Sequence, residues 1–377
     1  MDIYLDNAAT TRVCPEAAEA AYRVMTSDYG NPGSTHAKGR AARAILDRAR
    51  KAVAAPLGCR ESEIVFTSGG TESDNWAIFG AAELQKRQGR HIISSRTEHD
   101  AVRQALEKLS RQGWEVTLLA PDETGAVSPQ AVRRALREDT ALVTLMLVNN
   151  ETGAVTDIAG ISQVLKEARS AALLHSDAVQ GYGKLPFTAK ALGADMLSLS
   201  GHKIHAPKGI GALYLRSGLK LPPLIVGGGQ ENGLRSGTEP LPQIAAFGEA
   251  ARLAAESLPE AGERMAALRR ECIETLTAAM PETVVLGGGA PHILSLSLPG
   301  YRSEVLLNYL DGMGICVSKS SACKRGRRSH VLEAMGVADK IIDGAVRVSL
   351  SRYTTREECR AFCDALIRAH GELYKSL

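Results

Sequence analysis

Leu173-Leu174-His175-Ser176-Asp177-Ala178-Val179-Gln180 reads as a buried strand that ends on an acid. Met196-Leu197-Ser198-Leu199-Ser200-Gly201-His202-Lys203 is a second strand that runs straight into a lysine, 26 residues after that acid. An unpaired carboxylate at the end of a buried strand is costly, so Asp177 requires a cation. The interval accommodates a short connection between two neighbouring strands, and both groups can then project from strand ends into one crevice.

Outward from this pair the pattern repeats. Ile64 to Thr67, His91 to Ser95, Glu115 to Leu119, Leu142 to Val148, Ala172 to Ser176, Met196 to Ser200 and Gly211 to Leu215 are strand candidates. Between most of them lie amphipathic stretches such as Ser73 to Gln88, His99 to Gln112 and Ile158 to Ser170. Strands alternating with helices predict an α/β fold with a mainly parallel sheet covered on both faces. After Gly237 a long helix, Leu241 to Met280 with a break expected near Pro259, leads to shorter strands at Val284 to Leu286, Ile293 to Leu298, Ile315 to Ser318 and Ala345 to Leu350. The expectation is a large domain over 15–255 and a smaller α+β domain made of 1–14 and 256–377.

Composition narrows the class of molecule. The chain has 377 residues, 44% hydrophobic and 23% charged, which excludes disorder and fibre. Forty-five basic against 42 acidic residues leave a net charge of +3, so no global field demands nucleic acid, and nucleic-acid binding is not expected as a primary role. Apolar runs such as Ala141 to Val148 fall short of the roughly 20 residues of a membrane span. The opening Met1-Asp2-Ile3-Tyr4-Leu5-Asp6 lacks a basic-then-apolar export pattern, and a cytoplasmic location is expected. Seven scattered cysteines without a CxxC pair argue against a disulfide scaffold or structural zinc, and no metal site is expected. Cys359 and Cys363 fall with Phe362, Leu366 and Ile367 on one apolar helical face, where a free thiol packs as a small hydrophobe.

A third feature joins the acid and the lysine. In Phe66-Thr67-Ser68-Gly69-Gly70-Thr71-Glu72-Ser73 a strand ends in small residues and opens a helix. Glycines such as Gly70 admit close approach, backbone N–H groups point at an anion, and the Thr71 and Ser73 hydroxyls add donors. No Gly-Lys-Ser/Thr follows, so this is not a nucleotide-binding P-loop. One cofactor uses all three parts: pyridoxal 5′-phosphate, with its phosphate in the amide cup, its ring nitrogen on Asp177 and its aldehyde on Lys203 as a Schiff base.

The chain also resembles the cysteine desulfurases, pyridoxal-phosphate enzymes of the class V aminotransferase group. The resemblance rests on Tyr4 to Thr11, Gly30 to His36, Thr67 to Asn75, Thr97 to His99, Asn149 to Gly153, His175 to Gln180, Ser200 to Lys203, Gly227 to Thr238, Ser321 to Cys323 and Arg347 to Ser349. It implies a fold type I transferase with a seven-stranded sheet, and it implies roles. Lys203 would hold the cofactor, Asp177 would keep its ring nitrogen protonated, His99 would stack on the ring, and Gln180 would meet the ring hydroxyl. Gly70, Thr71, Ser200 and His202 would hold the phosphate, joined by Thr238 from a second subunit, which makes a homodimer the expectation. Asn150 and Arg347 would receive the substrate, the arginine as a clamp on its α-carboxylate. Spacing alone leaves Asn150 open as a buried amide and Arg347 as a surface ion pair.

Cys323 lies in the polar, basic stretch Ser318 to His330, with Lys319, Lys324, Arg325, Arg327 and Arg328 within five positions. Neighbouring cations favour the thiolate, the reactive form of sulfur. The resemblance then implies L-cysteine as substrate, L-alanine as product, a persulfide on Cys323, and delivery to a sulfur-acceptor protein such as an iron–sulfur scaffold. An aminotransferase or selenocysteine lyase on the same fold is the alternative, because both use the cofactor residues; a non-catalytic sulfur-transfer scaffold would need neither Lys203 nor Asp177.

Overall fold

A computed structural model of the chain describes residues 2–319 and 328–375. In chain order the elements are β1 (Ile3–Tyr4), α1 (Pro15–Thr26), α2 (Ala37–Ala54), β2 (Ile64–Thr67), α3 (Gly70–Gln85), β3 (His91–Ser95), α4 (Asp100–Arg111), β4 (Glu115–Leu119) and α5 (Pro129–Ala135). Then follow β5 (Thr140–Thr144), α6 (Ile158–Glu167), β6 (Leu173–Asp177), α7 (Ala189–Leu192), β7 (Met196–Ser200), β8 (Gly211–Leu215) and α8 (Leu241–Ala279). The remainder comprises β9 (Val284–Val285), β10 (Ile293–Ser297), α9 (Ser303–Gly312), β11 (Ile315–Cys316), β12 (Ser318–Lys319), α10 (His330–Ala334), α11 (Asp339–Ile342), β13 (Ala345–Ser349) and α12 (Arg356–Glu372).

Among the described residues the large sheet has seven strands in the order β2-β8-β7-β6-β5-β3-β4. All neighbours are parallel except β8, which runs against both β2 and β7. The strands β2, β3, β5, β6 and β7 therefore all end at one edge, where open α/β sheets bind their ligands. β5, β6 and β7 are buried throughout, so the polar residues they carry, such as Thr144, His175 and Ser198, are hydrogen-bonded to one another. α4 shows the complementary rule: Ala101, Val102, Ala105, Leu106 and Leu109 form its buried stripe against the sheet.

A smaller antiparallel sheet runs β12-β13-β10-β9, and β1 pairs in parallel with β11. The run expected as one strand over Ile315 to Ser318 is thus two strands, one against the amino-terminal segment and one against β13. α8 is a single 39-residue helix with Pro259 inside it, not two helices. Proline removes one backbone bond, but Pro259 is exposed, so water can satisfy the carbonyl it leaves. The first half of α8 buries Ile244, Phe247 and Ala251 in the core of the large sheet. The second half buries Met265, Leu268 and Leu276 with β10, β13 and α12. Among the described residues no helix is long and apolar enough to cross a membrane.

Candidate functional site

The edge at which β2, β6 and β7 end carries the glycine cup, the acid and the lysine. Gly69 adopts φ 151°, a conformation that side chains disfavour, and it turns the chain from β2 into α3. A Cβ on Gly70 would stand 2.8 Å from Val179 Cγ2 and 3.6 Å from the Ser200 Cβ, so only glycine brings this turn against the exits of β6 and β7. The start of α3 receives no side-chain cap, and Thr71 is exposed beside it. Glu72, the acid nearest the cup, is neutralised by Arg235 at 2.9 Å and accepts Ser68 N–H at 2.9 Å. Ser73, expected to add a donor, is instead buried with its Oγ bonded to the Gly69 and Ala212 carbonyls, each at 3.1 Å. Uncapped amides, the Thr71 hydroxyl and a cancelled carboxylate suit a phosphate.

Asp177 is buried, and its Oδ1 accepts Val179 N–H at 2.9 Å. Burial pushes its carboxyl up, while its electrostatic contact with His99, the Val179 hydrogen bond and the charge of Lys203 pull it down. An acid in this balance favours a further donor with positive character, as a protonated ring nitrogen would be. Beneath it, His175 Nδ1 meets Thr144 Oγ1 at 2.8 Å and Nε2 meets Ser198 Oγ at 2.9 Å. Burial pushes His175 down to about 3, so the ring is neutral. Asp74 Oδ1 lies 3.7 Å from that ring, but burial and the neighbouring Asp177 push its carboxyl well up. With the His175 ring neutral, the contact is not an ion pair. His99 follows β3, is half-buried, and caps α4 by accepting Ala101 N–H on Nδ1 at 3.2 Å.

Lys203 leaves β7 through the 3-10 turn Gly201–Lys203 and donates from Nζ to the carbonyls of Ala8 at 2.8 Å and Ala9 at 2.6 Å. Gln180 donates from Nε2 to the same Ala8 carbonyl at 2.8 Å, and its Oε1 accepts Lys184 Nζ at 3.0 Å. His202 Nδ1 meets Thr10 Oγ1 at 3.1 Å, and burial followed by Lys203 pushes the ring down to about 4. Ser200 is buried at the end of β7, whereas Thr238 is exposed far along the chain beyond it.

Arg347 on β13 is 1% exposed, which overturns the alternative of a surface ion pair. Its Nη2 donates to Asp6 Oδ1 and its Nη1 to the Asn150 carbonyl, each at 2.8 Å, and its Nε is buried without a partner among the described residues. Next to Asn150, Glu151 accepts a hydrogen bond from Ser329 Oγ. Cys323, with Lys324, Arg325 and Arg327, lies outside the described residues. Arg328 is described, and it pairs with Asp343 at 2.7 Å and with Asp339. These acids already claim the charge that the sequence reading assigns to the cysteine. Two site residues escaped that reading: Asp6, the partner of Arg347, and Lys184, seven positions after Asp177 and four after Gln180 on a run of turns.

Comparison with known proteins places this geometry. The Aminotransferase class-V family matches residues 3–362. The cysteine desulfurase of Trichormus azollae is 45% identical over 100% of this chain and 93% of its own length. The cysteine desulfurase IscS of Methanosarcina thermophila is 43% identical over 94% of this chain and 89% of its own. Among solved structures, a NifS-like protein superposes with a TM-score of 0.93 at 39% identity, covering 99% of this chain and 100% of its own. SspA in complex with cysteine superposes with a TM-score of 0.82 at 33% identity, covering 94% and 100%.

Proposed function

The chain belongs to the class-V aminotransferase family, among its cysteine desulfurases, and on that premise we propose how its own residues divide the work. The enzyme takes L-cysteine to L-alanine and passes the sulfur on. Pyridoxal 5′-phosphate, when bound, supplies the electron sink that lets a Cα proton leave and a carbon–sulfur bond break.

Lys203 is the covalent attachment residue and the amine that carries a proton at the substrate Cα. Asp177 balances the charge of the protonated ring nitrogen, His99 contacts the ring, and Gln180 contacts the ring hydroxyl. Gly70, Thr71, Ser200 and His202 hold the phosphate. Thr238 of a second copy completes that set, which makes the working unit a homodimer; the exposure of Thr238 on a single chain supports this. Arg347 and Asn150 receive the substrate, whose carboxylate takes the N–H groups of Arg347 that Asp6 and the Asn150 carbonyl do not. Cys323 is the sulfur acceptor: its Sγ bonds to the substrate sulfur as the Cβ–S bond breaks, leaving alanine and a persulfide for a protein acceptor such as an iron–sulfur scaffold. We also assign 15–255 to a cofactor-binding domain, and 1–14 with 256–377 to a smaller one carrying the Cys323 segment.

The observation that supports this reading best is the shared Ala8 carbonyl, which takes both Lys203 Nζ and Gln180 Nε2 beside Asp177. The test is purified protein with pyridoxal phosphate, L-cysteine and a thiol reductant, with sulfide and alanine quantified together. Equal amounts of both are expected, with loss of both in Cys323→Ala. A keto acid in place of alanine would redirect the assignment to transamination.

A further inference from the structure

Lys184 is a lysine where packing alone would favour an apolar side chain. It is 7% exposed, and its Nζ donates to Gln180 Oε1 at 3.0 Å. Burial, with the positive charges of Lys203 and Arg347, pushes it down to about 7. Holding an amine in such a place costs stability unless its hydrogen bond matters.

The local chain explains how it gets there. After β6 the Ala178 carbonyl accepts Gly181 and Tyr182 N–H, and the Gly181 carbonyl accepts Lys184 and Leu185 N–H. These successive turns give Asp177, Gln180 and Lys184 the spacing of one helical face. Gln180 is 5% exposed and its amide has two ends of similar shape but opposite polarity. On one side stands the Ala8 carbonyl, which only accepts; on the other stands Lys184, which donates whether charged or neutral. A single orientation satisfies both, with Nε2 toward Ala8 and Oε1 toward Lys184. The same Ala8 carbonyl takes Lys203 Nζ, so the orientation of the amide is tied to the position of the attachment lysine.

We propose that Lys184 is a positioning residue of the cofactor site: by donating to Gln180 Oε1 it fixes which end of the Gln180 amide faces Ala8, Lys203 and the ring hydroxyl of the cofactor. This rests on the reading of Lys203 and Gln180 given above. It adds a residue that never touches the cofactor and acts only through Gln180.

The test is a double-mutant cycle on apo-protein titrated with pyridoxal 5′-phosphate. The readouts are the dissociation constant, the visible band of the lysine-bound cofactor and its pH profile, and thermal unfolding of each variant. Lys184→Met removes the donor at similar length and should weaken cofactor binding about tenfold, the size of one buried hydrogen bond. The visible band should shift as well, since its ring-hydroxyl contact changes. Lys184→Gln retains an N–H donor and should recover most of the affinity, which keeps the test informative if Lys184→Met folds poorly. Because Lys184 acts through Gln180, Lys184→Met with Gln180→Ala should bind no more weakly than Gln180→Ala alone. Additive losses, or an unshifted band with unchanged affinity in Lys184→Met, would overturn the proposal. Wild-type protein that forms no lysine adduct with the cofactor would instead overturn the reading beneath it.

Discussion

The two ends of the site are assembled from different distances along the chain. Asp177, Gln180 and Lys203 come from adjacent strands β6 and β7 and the turns that follow each, and their register is set by one ladder in which Asp177 faces Ser198. Arg347 comes from the small sheet and is held by Asp6, 341 residues away, and by the Asn150 carbonyl, 197 residues away. The amino-terminal segment is the bridge: Ala8 N–H donates to Ser349 Oγ at 2.8 Å while the Ala8 carbonyl takes Gln180 and Lys203. The end proposed for the cofactor is built from neighbouring strands. The end proposed for the substrate, made of three remote segments, exists only when both sheets and the amino terminus are docked together.

The largest expected effect breaks the cofactor end. Lys203→Ala should abolish the covalent adduct and all turnover, while the Arg347 region keeps its structure, because Arg347 is held by Asp6 and the Asn150 carbonyl. Reduction with borohydride followed by peptide mapping checks it; an adduct on another lysine would move the cofactor end elsewhere. Next, Arg347→Ala should leave cofactor loading intact and raise the KM for cysteine by tens- to thousands-fold, the roughly 2–5 kcal/mol of a lost buried charge-assisted pair. Cofactor loss on the same scale would show that the two ends are one unit.

The same difference decides what a reader of the sequence can see. Asp177 and Lys203 are legible because a buried strand ending on a charge announces itself within eight residues, and the glycine turn before α3 follows the same local logic. Asp6 is not, because its role is created by a partner at the other end of the chain. Lys184 is missed for a different reason: its spacing from Asp177 is helical, but the segment between them reads as strand followed by loop. The continuity of α8 through Pro259 and the division of Ile315 to Lys319 between two sheets depend on solvent exposure and on strand partners, neither of which a local pattern contains. Cys323 is conspicuous in the sequence by its charged surroundings, while the ion pairs of Arg328 with Asp339 and Asp343 come from a helix the charge count does not see.

Asp6→Asn sharpens the comparison at smaller cost. It preserves shape and removes the charge that pairs with Arg347, so the guanidinium keeps a hydrogen bond but loses its counter-ion. A rise of roughly tenfold in the KM for cysteine is expected, with cofactor affinity unchanged, in line with one charge-assisted bond. Asp6→Ala should cost more, since it leaves Arg347 buried without an anion. Unchanged KM in both variants would mean that Asp6 serves packing of the amino-terminal segment rather than the orientation of Arg347.

The smallest effect tests whether the substrate end also responds to pH. Glu151 is buried beside Asn150, and burial pushes its carboxyl from an ordinary 4.5 up to about 7, against the hydrogen bond from Ser329 and the charge of Arg347, which pull it down. The folded protein therefore binds a proton that the unfolded chain has already released between these values. Its contribution to stability is fully present below about 4.5 and is lost as pH rises through about 7. The apparent Tm should fall by roughly 2–4 °C from this group alone between pH 5 and 8. Glu151→Gln should flatten that slope, because a neutral amide has nothing to titrate. Ser329→Ala removes a hydrogen bond that favours the charged form, so it should shift the loss to higher pH. His175, held neutral near 3 in the fold against an ordinary 6.5, adds a slope of the opposite sign below about pH 6.5, but wild type and Glu151→Gln share it, so the difference between their curves isolates Glu151. If wild type and Glu151→Gln give parallel curves, Glu151 is ionised throughout. Arg347 would then be neutralised by two carboxylates rather than by Asp6 alone, and the asymmetry between the two ends would lie in charge as well as in sequence distance.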